Sequence, residues 1–277
     1  MSWEPENMQK VVISGSNNVL YVNPNDKRSR WIIRDNGVTQ PRVTQIWRKI
    51  VSTWHPTFVL DVGVNYGEII FSTQYDPKMH VIGIEANALL LPYIYKALEE
   101  HPNHKQINII HALAGETSGE EHTFYVDRGW SGSSSAVPML NHSMIEKTTV
   151  TSIAIDSLFS DLALSEQRIL FKLDVEGYEE FVMKGMSAIR SECEHQIGYI
   201  EFNDKWLEKA GTDPMHFLKF LQENYHVFIH YSSSLLLHFK DLQLEKIKRY
   251  YRNHTDLLLV TDLKTVQQLG IRVKWLI

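Results

Sequence analysis

Phe58-Val-Leu-Asp-Val-Gly-Val-Asn-Tyr-Gly67 is a short apolar run that ends in a glycine-punctuated turn. Phe58 to Leu60 with Val62 reads as a buried strand, Gly63 and Gly67 mark the turn, and Glu68 to Tyr75 has the apolar spacing of a helix. Strand, turn and helix make a ligand cradle, because glycine permits φ > 0 and lets a ligand approach the main chain. Asp61 stands where the strand ends, the edge at which open α/β sheets bind ligands.

Outward from this stretch, strands alternate with helices. His80 to Ile84, Ile107 to Ile110, Ile169 to Leu173 and Ile197 to Phe202 read as buried strands. Ala88 to Glu100, Tyr178 to Arg190, Pro214 to Asn224 and Asp241 to Arg252 read as helices, and Val227 to Tyr231 and Leu257 to Thr261 as further strands. Such alternation implies a parallel sheet with helices on both faces. Residues 1–54 read as an extension: a hairpin from Lys10 to Ile13 and Val19 to Val22, a short strand at Trp31-Ile-Ile33, and an amphipathic helix from Pro41 to Trp54. Its expected role is to cover the sheet, with closure of one wall of the pocket as the alternative. Residues 55–277 form the main domain, interrupted at about 121–155 by two strand-like segments around the glycine- and serine-rich Asp127-Arg-Gly-Trp-Ser-Gly-Ser-Ser-Ser135.

Composition narrows the function classes. A net charge of -5 argues against tracking a nucleic-acid backbone. A lone cysteine, Cys193, allows no intrachain disulfide and fits a cytoplasmic setting. Met1 to Lys10 has acidic residues where a signal peptide has basic ones, and no apolar run reaches membrane-spanning length. The histidines at 101, 104, 111 and 122 lack partners at metal-ligand spacing, so no metal site is assigned to them.

The turn lacks the middle glycine of G-x-G-x-x-G and follows an acidic residue, which disfavours a dinucleotide. Asp61 and the main chain suit an ammonium, and N–H groups opening a helix suit a carboxylate. Glu85, directly after the second strand, suits a ribose diol. Amino acid plus nucleoside is S-adenosylmethionine. At the end of the fourth strand Lys172, Asp174 and Glu176 alternate along one face, and unpaired burial of any of them is costly, so they mark chemistry or an ion pair. An acidic pair this close can also hold a divalent metal.

Together, Asp61-Val-Gly-Val-Asn-Tyr-Gly67, Glu85-Ala-Asn87, Gly132-Ser-Ser-Ser135 and Ile169-Leu-Phe-Lys-Leu-Asp-Val-Glu-Gly-Tyr-Glu179 resemble the FkbM family of S-adenosylmethionine-dependent methyltransferases. The resemblance implies a Rossmann-like class I fold, mainly a parallel seven-stranded sheet with an antiparallel last strand, and O-methylation of a hydroxyl on a sugar, polyketide or related metabolite. It places the cofactor against Asp61, Gly63, Asn65, Tyr66, Gly67, Glu85, Ala86, Asn87, Ser133, Ser134 and Asp174. Ala112 and Leu113, just past the third strand, would flank the adenine. Val64 and Ala86 depart from the family pattern, and neither removes a polar ligand.

The expected chemistry is direct displacement. Asp174 is the first choice of base, Glu176 the second and Glu201 the third, with Lys172 orienting the carboxylate. A nitrogen acceptor and a silent cofactor-binding scaffold are the alternatives, and homo-oligomer formation stays open.

Overall fold

The computed structural model describes residues 7–138, 144–250 and 254–276. The chain opens with an antiparallel hairpin, β1 (Gln9–Val12) and β2 (Val19–Val22), followed by helices α1 (Lys27–Arg34) and α2 (Pro41–Trp54). The central sheet then begins with β3 (Phe58–Val62), β4 (His80–Glu85), α3 (Leu91–Glu99) and β5 (Ile107–His111). An insertion follows, β6 (Leu113–Ala114), β7 (Glu121–Asp127) and β8 (Ile145–Ile153), which forms its own three-stranded sheet in the order β6-β8-β7. The chain returns to the centre through β9 (Arg168–Leu173), α4 (Glu179–Lys184), α5 (Ser187–Glu192), β10 (His195–Asn203), α6 (Asp204–Lys209), α7 (Pro214–Asn224) and β11 (His226–Ser232). It ends with β12 (Leu235–Phe239), α8 (Leu244–Tyr250), β13 (His254–Val260), α9 (Leu263–Gln268) and β14 (Arg272–Leu276).

Among the described residues the central sheet has nine strands in the order β14-β12-β11-β13-β10-β9-β3-β4-β5. Seven of them, β5 to β11 as written in that order, form the expected mainly parallel sheet, with β13 antiparallel to both β10 and β11. The expected count of seven is therefore exceeded by β12 and β14, which pair in parallel with each other and extend the far edge beyond β11. Alternation along the inner strands feeds two apolar layers. Val59 and Leu170 enter one with Trp47, Ile50 and Ile94, while Leu60 and Phe171 enter the other with Phe217, Leu221 and Met183. Leu20, Val22 and Ile32 also belong to the first layer.

Three local expectations need correction. Trp31-Ile-Ile33 is helical, not a strand: Asp26 caps α1 by accepting from the Arg28 main-chain N–H, and Ile32 is the α1 apolar residue that is fully buried. The helix expected from Glu68 does not form. Residues 68–73 stay in turns, with the Phe71 ring folded back against Gly67. Tyr178 to Arg190 is two helices, broken at Gly185, where an added Cβ would lie 2.0 Å from the Gly115 carbonyl oxygen. Of the helix expected over Asp241 to Arg252, Tyr251 and Arg252 lie outside the described residues, as do Met1 to Glu6.

Candidate active site

The C-terminal ends of β3, β4, β9 and β10 open into one cavity of about 240 Å³. Parallel register sets Asp61 of β3 beside Lys172 of β9, and the Lys172 ammonium lies 3.6 Å from Asp61 Oδ1 and 3.1 Å from Asp174 Oδ2. Asp61 is buried behind the turn, where its Oδ2 accepts from the Ile70 N–H. It holds the turn and the lysine and stands behind the residues that line the cavity. Burial pushes its carboxyl up to about 6 despite the lysine.

Gly63 is the joint between the turn and the β9 segment. It sits at φ +82°, and an added Cβ would lie 1.9 Å from the Asp174 carbonyl oxygen, so no side chain fits there. Asn65, also at positive φ, turns its N–H to Glu85 Oε2 at 2.7 Å, and the Asn87 N–H meets Glu85 Oε1 at 2.7 Å. Each Glu85 oxygen thus accepts one main-chain donor and keeps a second acceptor direction. Burial raises this carboxyl to about 7, against the pull of those two bonds. Beyond Glu85 the lining turns apolar, with Ala86, Ala112, Leu113 and Phe124.

The opposite end is acidic. Asp174, Glu176 and Glu201 bring one carboxylate oxygen each within 4.8 Å of the others, a group that can hold a cation or share protons. Burial works against the Asp174 charge, but Lys172 above all, with Arg28 and Gln40, outweighs it and holds this carboxyl below the usual range. Burial first, and then neighbouring carboxylates, drive Glu176 and Glu201 well above that range. Burial also opposes the Lys172 charge, yet Asp174 and Asp61 keep its ammonium above the ordinary lysine value. Glu176 is presented from a left-handed turn at φ 51°, braced by Glu179, whose Oε1 accepts from the Val175 and Gly177 N–H groups at 3.2 Å.

Of the residues expected from the sequence, Gly63, Asn65, Glu85, Ala86, Ala112, Leu113, Ser134, Asp174, Glu176 and Glu201 meet at this cavity. Tyr66, Gly67, Asn87, Ser133 and Lys172 stand behind it: Asn87 braces Glu85, and the Ser133 hydroxyl donates to Asp127. Arg28, Trp31 and Gln40 were missed as lining residues. Trp31 meets Trp130 edge-on, with ring centroids 5.8 Å apart, and the Lys27 ammonium lies 4.1 Å from the Trp130 ring centre.

His101 is a buried structural residue tied to Asn18 and the Thr73 carbonyl, away from any metal-ligating group among the described residues. Cys193 is buried against the Gln167 and His195 carbonyls, and burial pushes its thiol up.

Residues 61–228 match the Methyltransferase FkbM domain, which spans the turn, both acidic strand ends and the insertion. The chain belongs to the FkbM methyltransferase family. It is an S-adenosylmethionine-dependent methyltransferase with the Rossmann-like fold of that class. Solved structures with similar architecture include a caffeoyl-CoA O-methyltransferase candidate from Staphylococcus aureus, at 10% identity and TM-score 0.46 over 84% of this chain and 90% of that one. An O-methyltransferase from Bacillus cereus in complex with SAH has 11% identity and TM-score 0.41 over 80% and 81%. Precorrin-6y C5,15-methyltransferase from Geobacter metallireducens has 10% identity and TM-score 0.39 over 79% and 86%. No curated protein matches the chain.

The cavity fits this cofactor. Gly63 and Asn65 line it at the turn, Glu85 retains acceptor capacity for a diol, and the Ala112–Leu113 end offers apolar surface for a base. Among the described residues no helix is long and apolar enough to cross a membrane.

Proposed function

We propose that this methyltransferase O-methylates a hydroxyl of a sugar, polyketide or related small metabolite, with Asp174 as the base. The carrying observation is the Asp174–Lys172 pair, whose carboxylate lines the same cavity as Glu85 while its lysine stays behind the wall. Residues 55–277 would be the catalytic domain and residues 1–54 an extension that completes it. Glu85 would take the ribose hydroxyls, Ala86, Ala112, Leu113 and Phe124 the adenine, and the main chain of Gly63 and Asn65 the methionine end.

When bound, S-adenosylmethionine supplies a methyl already activated on a sulfonium. The chain's own residues have three tasks: to align the acceptor oxygen, to exclude water and to receive one proton. Asp174 is held ionised by Lys172, so it can accept the hydroxyl proton as the oxygen–methyl bond forms and the carbon–sulfur bond breaks. Glu176 and Glu201, with raised carboxyl pKa values, suit hydrogen bonding to the same acceptor without adding a second and third full charge.

The test is transfer from labelled S-adenosylmethionine into a metabolite extract of the source organism. Asp174→Asn is expected to cut turnover by about 10³-fold while S-adenosylhomocysteine affinity stays within about twofold. Unchanged turnover removes Asp174 as the base. A wild-type protein that labels nothing favours the silent scaffold.

A further inference from the structure

Residues 27–40 precede the segment that carries the family match, yet they bring Arg28, Trp31 and Gln40 to the cavity. The side chain that fastens them is Glu68. Its carboxylate accepts from the Thr39 N–H at 2.7 Å, the Thr39 hydroxyl at 2.6 Å, the Gln40 N–H at 2.7 Å and the Arg28 guanidinium at 3.0 Å. A buried carboxylate with four donors, one of them charged, is a strong and directional anchor.

Its position gives the anchor a functional meaning. Glu68 follows Gly67 in the turn that carries Gly63 and Asn65, and so it is continuous with the cofactor half of the cavity. Gln40, one of the residues it holds, lines the cavity together with Asp174 of the acceptor half. A second fastening closes the far side, where the Asp26 carboxylate accepts from the Ser131 N–H at 3.0 Å and from its hydroxyl at 2.5 Å. The arm therefore bridges the cofactor turn and the serine-rich loop, and its Gln40 shares the cavity lining with the base.

We propose that Glu68 is a positioning residue that couples the two halves: filling of the cofactor site and docking of residues 27–40 against the acceptor side are one linked equilibrium. Glu68 acts through Arg28, Thr39 and Gln40, which it holds, and Arg28 and Gln40 carry that position to the cavity wall they share with Asp174. Linkage makes the effect reciprocal, so ligand in the cofactor site tightens the arm and a loosened arm weakens the ligand. The inference rests on the cavity being the cofactor site.

The experiment uses the full chain with S-adenosylhomocysteine as the probe, read by hydrogen exchange and by titration calorimetry. Ligand is expected to slow exchange over residues 27–40 by about tenfold while the Gln9–Val22 hairpin stays unchanged. Glu68→Gln is expected to abolish that protection and weaken the ligand by about tenfold, with Glu68→Asp restoring part of both. Thr39→Val removes one donor and leaves the carboxylate with three, so it gives an intermediate loss and decides the matter where Glu68→Gln does not fold. Ligand binding that leaves exchange over residues 27–40 unaltered overturns the coupling, as does wild-type affinity in both Glu68→Gln and Thr39→Val. A wild-type protein that does not bind the probe overturns the cofactor reading itself.

Discussion

The proposed cofactor half of the cavity and the proposed acceptor half are built on opposite plans. The first comes mainly from two neighbouring strand ends, β3 and β4, and its acid, Glu85, is held by the main-chain N–H groups of Asn65 and Asn87. The second is gathered from four separate segments, near residues 28–40, 130–134, 174–176 and 201, and holds three mutually close carboxylates tempered by Lys172. A generic ligand is thus met by local geometry, and a particular one by long-range assembly. Long-range assembly leaves room to vary the acceptor while the cofactor end stays the same.

The comparison breaks hardest at Gly63, where the halves touch. Gly63→Ala is expected to cost about 3 kcal/mol in urea denaturation, because it combines a left-handed backbone with a clash against the Asp174 carbonyl. It should also lower cofactor affinity and turnover together, and an unchanged denaturation midpoint would show that the joint yields freely.

A sharper cut falls on the cofactor half alone. Glu85→Gln is expected to weaken S-adenosylhomocysteine by at least about tenfold. The free carboxyl sits at about 7, and ligand hydroxyls favour its ionised form, so binding releases a proton. Wild-type affinity should therefore fall as pH drops through about 7 and level off above it, and calorimetry of Glu85→Gln should show a flat profile over that window.

The smallest effect belongs to the acceptor rim. Trp31→Ala and Trp130→Ala are expected to raise the acceptor KM by about threefold to tenfold, with cofactor affinity preserved. A matching loss of cofactor affinity would mean that the rim serves both halves.

The same contrast explains what could be read from the sequence. The cofactor half was legible because its residues are contiguous: Asp61 to Gly67 and Glu85 to Asn87 each carry their geometry in a few positions. Asp174, Glu176 and Glu201 were legible as charges at strand ends, where burial demands a reason. Arg28 and Gln40 were not, since nothing in a polar residue of an extension announces a partner across the chain, as both have in Glu68.

Trp31-Ile-Ile33 misled because aromatic and β-branched residues favour strands, while the deciding feature was the Asp26 cap five residues earlier. The missing helix after Gly67 has a similar cause. Ile69, Ile70 and Phe71 are all buried, so their apolar spacing reflects packing around a turn and not one face of a helix.

The Glu68 anchor sets a rule for anyone exchanging the arm to redirect the enzyme. Two of its four donors are main-chain N–H groups, at Thr39 and Gln40, and any residue except proline supplies those. Only the Arg28 guanidinium and the Thr39 hydroxyl depend on side-chain identity. A transplanted arm that keeps these two, the Asp26 fastening and the buried Ile32, and avoids proline at 39 and 40, retains its mooring, which leaves the cavity-lining Trp31 as the position to redesign toward a new acceptor.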